Sequence, residues 1–406
     1  MKRIISIIFV ALIIILNGTH GALAIYTPQV TTAMGLDRYF NYLIDKKYDN
    51  SLTVAVVDSG VADIDVLNRK ITEGYDFIDD DNDATNDTSS NSHGTSVASI
   101  IAELTGDLPI NIMPVRILEE KNIEINNLVS GIMYAVDNGA KVINLSVGGT
   151  VSDCSEIDEA IYYAYENDVS VVVAAGNERK EISDFCPAHN GSAITVSAVD
   201  DDKKFAKSFS NYGKYIDCCA PGVNLVGCNA DGMPQTVSGT SFSTAIISAG
   251  IAMMRLEHPE YNVVDIQEKI KSTCLDLGEE GFDVYYGYGL PQFDKLIYPI
   301  VSIKNQDKLN GKYIDYNSTV IFKAETINKP EESEICWFIN DVATANGDTY
   351  THKNSKSDFT IQVKIIINNE IISASDTEKI YVKNSFIDKL KAFIRCVLNI
   401  NSVITQ

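Results

Sequence analysis

The chain has 406 residues, 45% of them hydrophobic, and a formal net charge of −22 at pH 7. This length exceeds one ordinary small domain and supplies enough apolar residues for a large core. The acidity argues against binding of nucleic acids or anionic membranes by the body of the protein, because both partners carry negative charge.

The N-terminal segment, residues 1–24, has the layout of a secretory signal peptide. Lys2 and Arg3 precede an apolar run over residues 4–16, and the segment ends in Ala-Leu-Ala. The apolar run is shorter than the roughly 20 residues that span a bilayer. We therefore expect cleavage after this segment, with a retained anchor as the alternative, and a mature chain that is secreted or associated with the cell surface.

Short β-branched runs alternate with helical patterns in the next part of the chain. The predicted strands cover 53–58, 111–118, 141–147, 169–177, 193–199 and 215–222, and the predicted helices cover 94–104, 126–138, 156–167, 242–257 and 263–273. The strands are apolar without alternation, as expected of strands buried on both faces of a parallel sheet. The pattern predicts an α/β domain over residues 25–299 that binds its ligands at the carboxyl ends of the strands.

After Pro299 the pattern changes to short strands at hairpin spacing, separated by polar turns. About seven strands in roughly 85 residues are typical of a β-sandwich of the immunoglobulin type. We predict such a domain over residues 300–384, with Trp337 in its core. Cys336 has no partner cysteine within this domain, so the inter-sheet bridge of antibody domains is absent.

The last segment, residues 385–406, predicts an amphipathic tail helix. Apolar residues recur in it at helical spacing, and Lys389, Lys391 and Arg395 lie among them. Three roles are open for such a basic helix: docking on the body of the protein, attachment to an envelope surface, and pairing with a partner helix.

Eight cysteines are present, and their spacing matches no metal-knuckle pattern. An exported protein in an oxidising medium usually pairs its cysteines. We expect a bridge between Cys154 and Cys186, since both lie in loops just beyond predicted strands. Many of the others are read as small buried apolar residues.

Four polar residues stand where strands end or helices begin. Asp58 and Asn177 end predicted strands, His93 opens a helix, and Ser241 lies at the start of another. Taken singly, each has a structural reading, such as a turn residue or a helix cap. Taken together, they have the composition of a site that uses a serine nucleophile.

The chemistry of such a site requires each of these residue types. A serine hydroxyl is a poor nucleophile unless a neighbouring base accepts its proton, and imidazole has a pKa close to neutrality. A carboxylate behind the imidazole fixes its tautomer and stabilises the imidazolium. The Ser241 main-chain N–H and the Asn177 side chain would then supply donors to the negative oxygen of a tetrahedral intermediate. Gly239 leaves room for a substrate chain.

The segments VVDSG, SHGTSVAS, NLSVGG, VVAAGNE and SGTSFSTA follow one another in this order. In this order they resemble the subtilisin-like serine proteases (subtilases, peptidase family S8), over about residues 50–295. The resemblance implies a subtilisin-like parallel sheet flanked by helices, a triad of Asp58, His93 and Ser241, and an oxyanion hole completed by Asn177. It also implies an exported serine endopeptidase that acts on protein or peptide substrates through an acyl-enzyme.

The resemblance further assigns six substrate-binding residues in two segments. These are Ser146, Val147, Gly148, Ala174, Ala175 and Gly176. The first segment would offer an edge strand to an extended peptide, and the second would form a wall of the pocket for P1, the residue before the scissile bond. The base of this pocket is expected within residues 185–188, and a Phe185 that fills it would favour small or medium P1 side chains.

The chain departs from the family pattern at three points. Ala245 replaces the proline that usually follows the nucleophile, which a first helical turn tolerates. The segment after the helix at 94–104 leaves little room for the usual calcium-binding loop, so no cofactor or metal is expected. The acidic run 76–87 is read as a solvated loop, with calcium binding as the alternative.

The third departure concerns the prodomain. Only about 33 residues separate the expected cleavage point from Asp58. We therefore expect no folding prodomain, and either unaided folding or a vestigial segment near 25–34.

An alternative from a different class is a surface binding or adhesion protein on an inactive protease scaffold. In it, the domain at 300–384 and the tail would make the functional contacts. The complete set of four catalytic groups favours the enzyme. A dedicated peptide-maturation protease is a narrower alternative within the enzyme class.

Overall fold

The computed structural model describes residues 28–85, 92–119, 122–297, 300–305, 313–315, 318–327, 329, 333–353, 356–367, 370–375 and 377–383. The predicted signal peptide and the predicted tail helix lie outside the described residues. The chain divides into two compact units, Met1–Leu296 and Ile297–Gln406. Within the described part, none of the helices combines the length and the apolarity needed to cross a membrane.

The described helices of the first unit are α1 (Pro28–Ala33), α2 (Leu36–Ile44), α3 (His93–Thr105), α4 (Ile125–Asp137), α5 (Ser155–Glu166), α6 (Thr240–Glu257) and α7 (Val263–Thr273). Its described strands are β1 (Leu52–Asp58), β2 (Tyr75–Asp76), β3 (Ile110–Arg116), β4 (Leu118–Glu119), β5 (Asn122–Ile123), β6 (Val142–Leu145), β7 (Gly149–Thr150), β8 (Ser170–Ala174), β9 (Phe185–Cys186), β10 (Ile194–Val199), β11 (Cys218–Pro221), β12 (Leu225–Cys228) and β13 (Pro234–Val237). These elements confirm the six predicted strands and the five predicted helices, with small shifts at their ends.

Seven of these strands form one parallel sheet in the order β11-β10-β8-β6-β1-β3-β2. Every residue of β6, β8 and β10 is buried, as their continuous apolar sequences predict. Helices α4 and α5 pack on one face of the sheet, against Ala55 and Val57. The predicted α/β class, a subtilisin-like parallel sheet flanked by helices, is confirmed.

Helix α6 is buried along almost its whole length. Every residue from Thr240 to Leu256 is buried, and the helix packs along β6, β8, β10 and β11 and against α3. Small residues permit this close approach: a Cβ added at Gly250 would overlap the ring of Phe293. The stretch of small and hydroxyl residues therefore serves packing at the same time as it positions Ser241.

The N-terminal helices belong to the same core. Met34 is fully buried, and its carbonyl accepts a hydrogen bond from Phe293 N at 2.8 Å. Tyr39 of α2 is fully buried as well. The described part of the segment near 25–34, from Pro28 onward, is thus an integral part of the folded unit rather than a vestigial extension.

The second unit contains the described strands β14 (Ile300–Asn305), β15 (Tyr313–Asp315), β16 (Val320–Ile327), β17 (Glu334–Ile339), β18 (Val342–Asn346), β19 (Thr349–His352), β20 (Phe359–Ile367), β21 (Glu370–Ala374) and β22 (Glu378–Lys383). One sheet has the order β14-β16-β19, and the other has the order β15-β22-β20-β17-β18, with β21 beside β20. Side chains of both sheets, including Phe322 and Trp337, share one apolar core. Trp337 is fully buried and donates from Nε1 to the Gly347 carbonyl at 2.8 Å, as expected of a core residue. The immunoglobulin type of this two-layer unit stays a prediction.

The expected disulfide joins Cys154 and Cys186, with a Cα–Cα distance of 6.2 Å. The remaining described cysteines are free: Cys218, Cys219, Cys228 and Cys336 are buried, and Cys274 is half-buried. Burial raises the pKa of the Cys218 and Cys219 thiols well above their ordinary value, so these thiols are inert packing groups. Cys396 lies outside the described residues.

The packing of α6 against Phe293 makes a direct prediction for Gly250→Ala. Alanine is normally favoured over glycine inside a helix by about 0.5–1 kcal/mol, but here its Cβ meets an aromatic ring. Overpacking of this kind costs about 1–3 kcal/mol, so we expect a net loss of stability in urea denaturation. Gly191→Ala is the matched control, because a Cβ there meets nothing within 4 Å. Both are measured in a Ser241→Ala background to prevent self-digestion, and equal stability of the two variants would contradict the packing argument.

Candidate active site

The carboxylate of Asp58 stands at the end of β1 and is fully buried. Its Oδ1 accepts from Ser59 N at 2.7 Å. His93, the first residue of α3, brings Nδ1 to 2.8 Å from Oδ1 and 3.0 Å from Oδ2. A carboxylate can only accept, so Nδ1 carries the proton and Nε2 of the neutral ring is the basic nitrogen.

The environment of His93 moves its pKa in two directions. Burial lowers the pKa, but the charge of Asp58 and the hydrogen bond to it outweigh burial and raise the pKa above its ordinary value. About a third of the His93 side chain, 34%, stays exposed, so solvent and substrate reach the ring. The imidazole is therefore a base whose strength is set by Asp58.

Ser241 is the second residue of α6 and is 5% exposed. Its hydroxyl donates to the Ser146 carbonyl at 3.3 Å, and the Ser146 hydroxyl donates to the Ser241 carbonyl at 3.0 Å. The next residue, Phe242, has its ring centroid 5.7 Å from that of His93. The first turn of α6 is thus fastened to the segment after β6 and lies beside the imidazole.

Asn177 follows β8, and its side chain is turned toward the start of α6. Its Oδ1 accepts from Thr240 N at 2.9 Å and from the Thr240 hydroxyl at 3.2 Å. Because Thr240 donates both hydrogen bonds to Oδ1, the NH₂ group of the Asn177 amide points away from Thr240 and is the group that can donate to a ligand. Thr240 is a positioning residue that the sequence reasoning missed, although its place directly before Ser241 is a usable signal.

The six predicted substrate-binding residues occupy two segments that run side by side. Strands β6 and β8 are neighbours in parallel register, with Asn144 opposite Val172. Residues 146–148 follow β6, and Ala174 ends β8 before Ala175 and Gly176. All six residues except Gly148 are buried, so the two segments present mainly their main chains.

Phe185 occupies the space between these two segments. It is 4% exposed and belongs to β9, which pairs antiparallel with β7. A Cβ added at Gly148 would lie 2.9 Å from Cε1 of Phe185, and one added at Gly176 would lie 2.6 Å from its Cζ. Both positions therefore require glycine, and the aromatic ring takes up the volume that lies between them.

Asn211 holds the loop that carries Asn177, and sequence reasoning did not find it. It is fully buried, its Oδ1 accepts from Glu178 N and Lys180 N at 2.9 Å each, and its Nδ2 donates to the Ala175 carbonyl at 2.9 Å. The Asn211 side chain thus hydrogen-bonds to main-chain groups on both sides of Gly176, where the chain turns with a φ of +97°. No motif marks Asn211, because its partners come from another part of the chain.

Two carboxylates of the acidic run 76–87, which begins at the last residue of β2, already have partners. Asp76 is fully buried, accepts from Ile78 N at 2.7 Å and Asp79 N at 3.1 Å, and pairs with Arg116. Asp79 pairs with the same guanidinium at 2.7 Å. These contacts give the start of the run a structural role. The expectation that the chain uses no metal stays a prediction.

The family model of the subtilases, peptidase family S8, matches residues 49–289. This span is more than half of the 406 residues and includes every residue of the site. The chain belongs to the subtilase family. It is therefore a serine peptidase by family, as the resemblance implied.

Curated subtilases and a solved structure agree with this assignment. The chain is 34% identical over 287 residues to a thermophilic serine proteinase of Bacillus sp. (strain AK1), covering 66% of this chain and 68% of the relative. It is 38% identical over 239 residues to thermitase of Thermoactinomyces vulgaris, covering 56% and 82%. It is 32% identical over 251 residues to the minor extracellular protease Epr of Bacillus subtilis (strain 168), covering 60% of this chain but only 38% of that longer protein. The crystal structure of a cold adapted subtilisin-like serine proteinase aligns with a TM-score of 0.55 at 27% identity, covering 61% and 91%.

The pairing of His93 with Asp58 predicts the pH dependence of this subtilase. The base works only when neutral, so the acid limb of kcat/KM lies at the raised pKa of His93. Asp58→Asn removes the charge that raises this pKa, so we expect the limb to move to lower pH while the maximal rate falls by about 10⁴-fold. The profile is measured with a peptide substrate between about pH 5 and 9. Asp63→Asn, an exposed carboxylate, is the control and leaves both features in place. A limb that stays fixed or rises in Asp58→Asn would refute the assignment.

Proposed function

We propose that this subtilase is an exported serine endopeptidase that cleaves extended polypeptide segments through an acyl-enzyme. The observation that carries the proposal is the hydrogen-bonded pair of the buried Asp58 and the half-buried His93 beside the first turn of α6, which bears Ser241. The signal-peptide layout of residues 1–24 supports export. So does the similarity to Epr, a relative that is named as an extracellular protease. The substrates are proteins or peptides, and no nucleic-acid partner is proposed for so acidic a chain.

The first chemical step moves one proton within the site. The Ser241 hydroxyl leaves the Ser146 carbonyl by rotation about χ1 and gives its proton to Nε2 of His93 as Oγ attacks the substrate carbonyl carbon. Asp58 stabilises the imidazolium that results. His93 then returns the proton to the leaving amine, and a water molecule repeats the sequence to release the acyl group.

The oxyanion that forms in this step meets donors that are already oriented. The Asn177 amide is held by Thr240, and the Ser241 N–H lies in the first turn of α6, where main-chain donors lack intrahelical partners. Because these groups need no rearrangement, they favour the transition state over the ground state. In subtilisin, loss of one such donor costs about 10²–10³-fold in kcat.

The position of Phe185 indicates which P1 side chains the pocket accepts. A peptide that lies along residues 146–148 directs its P1 side chain between the two segments that the Phe185 ring separates. A ring that already fills this volume leaves room for alanine, serine or glycine and excludes aromatic side chains. We therefore propose cleavage after small residues.

Labelling with a fluorophosphonate tests the nucleophile. We expect one label per wild-type molecule, none on Ser241→Ala, and full labelling of Ser238→Ala, an exposed serine three residues earlier. The label needs both the hydroxyl and its base, so it reports an assembled site. Protein mass spectrometry gives the stoichiometry. A wild-type protein that takes no label would favour the adhesion protein over the peptidase.

Replacement of Phe185 tests the side-chain preference. Phe185→Ala empties the volume between Gly148 and Gly176, so we expect the ratio of kcat/KM for P1 Phe over P1 Ala peptides to rise by about 10²-fold. Phe205→Ala is the control, because that ring packs on Tyr285 and Tyr286 instead. The ratio is measured with two peptides that differ only at P1. An unchanged ratio in Phe185→Ala would show that this ring does not bound the pocket.

A further inference from the structure

The Cys154–Cys186 disulfide lies beside two side chains that peptide hydrolysis does not use. His189 Nδ1 is 3.8 Å from Cys186 Sγ, and His189 Nε2 is 3.2 Å from Asp158 Oδ2. The second oxygen of Asp158 accepts from Asn190 Nδ2 at 2.7 Å, which fixes the carboxylate. Sulfur, imidazole and carboxylate thus form a continuous row.

This row is arranged to stabilise negative charge on Cys186. Both ring nitrogens of His189 face acceptors, since Nδ1 also lies 3.2 Å from the Phe185 carbonyl. A proton on Nδ1 can be donated to a thiolate on Cys186, which would be one more acceptor beside the Phe185 carbonyl. A hydrogen bond donated to the sulfur favours the thiolate form of a cysteine.

The two sulfurs differ in their access to solvent. Cys154 precedes α5 and is half-buried, whereas Cys186 is only 2% exposed. An external thiolate therefore reaches Cys154 first, and Cys186 is the sulfur that leaves. A leaving thiolate that is stabilised speeds exchange, so access and charge stabilisation favour the same direction of attack.

The same disulfide restrains the residue that fills the P1 pocket. Cys186 follows Phe185 directly, and their strand β9 is paired with β7 through only two residue pairs. The covalent bond ties β9 to the residue that precedes α5. Opening it removes a covalent restraint on the strand that carries the ring between Gly148 and Gly176.

We propose that Cys154–Cys186 is a thiol–disulfide exchange site for a low-molecular-weight thiol, and that its redox state sets the width of the P1 pocket. The external thiolate forms a bond to Cys154 Sγ, the Cys154–Cys186 bond breaks, and its electron pair leaves on Cys186 Sγ beside His189. A second external thiolate attacks the external sulfur of the mixed disulfide, which releases Cys154 as a thiolate. Two external thiols are oxidised to one disulfide, and their two protons end on the two cysteines. The statement about the pocket rests on the proposed peptidase function, whereas the exchange step does not.

The exchange step is tested on the full chain carrying Ser241→Ala, which cannot digest itself. The protein is exposed to glutathione, and mass spectrometry after alkylation follows the appearance of thiols at Cys154 and Cys186. A chelator is present throughout, so that trace metal ions do not compete for the reduced thiols. The buried Cys218 and Cys219 stay unlabelled as long as the protein is folded.

We expect His189→Gln and Asp158→Asn to slow opening of the disulfide at least about tenfold, since both remove support for the leaving thiolate. His258→Gln is the matched control, because His258 Nδ1 bonds to Glu260 and its ring stacks on Tyr261, in another part of the chain. Opening of the wild-type bond at the same rate as in His189→Gln would overturn the proposal. A disulfide that opens only when Cys218 becomes labelled would overturn it too, because opening would then require unfolding.

The effect on the pocket is measured in the active enzyme with the peptide pair that differs only at P1. We expect reduction to raise the ratio of kcat/KM for P1 Phe over P1 Ala about tenfold, and Cys154→Ser to hold the raised ratio with or without glutathione. A ratio that does not respond to an opened disulfide refutes control of the pocket. Absence of all peptide hydrolysis refutes the peptidase function instead, and the exchange rates distinguish the two failures.

Discussion

The first turn of α6 is bonded to the ends of three strands, and the active site depends on this attachment. Thr240 is bound by Asn177 after β8, Ser241 exchanges hydrogen bonds with Ser146 after β6, and the Ser243 hydroxyl donates to Ala220 of β11 at 3.0 Å. A buried hydroxyl without a partner costs free energy, so these contacts allow a polar helix start to be buried. They also fix Ser241 relative to the sheet before any substrate arrives.

The parallel sheet places other residues of the candidate site at the same edge. Strands β1, β6 and β8 are adjacent and all end there, so Asp58, Ser146 and Asn177 come together although the chain separates them widely. His93 joins them because α3 begins beside the end of β1. The geometry of the site is thus a consequence of strand order, and each side chain needs only short local contacts to complete it.

Different contacts hold the proposed nucleophile and the residue proposed to bound the P1 pocket. The nucleophile depends on the start of α6, whereas the Phe185 ring depends on a two-residue strand and on the Cys154–Cys186 bond. In the proposed exchange, a change in the redox state of that bond acts on the pocket without a direct contact to the Asp58–His93 pair. The proposed choice of substrate would then respond to a thiol while the Asp58–His93 pair stays in place.

The amino-acid sequence by itself determined the main strands and helices and the enzyme family of this protein. Apolar runs defined the buried strands, and short motifs marked Asp58, His93, Asn177 and Ser241, because local patterns carry both kinds of information. Strands of two residues such as β2, β7 and β9 carry no periodicity and were found only in the structure. The same is true of the Thr240–Asn177 bond and of the row from Cys186 through His189 to Asp158. His189 and Asp158 are 31 positions apart in the chain, and Thr240 and Asn177 are 63 positions apart. Only the tertiary fold decides whether residues so far apart come into contact.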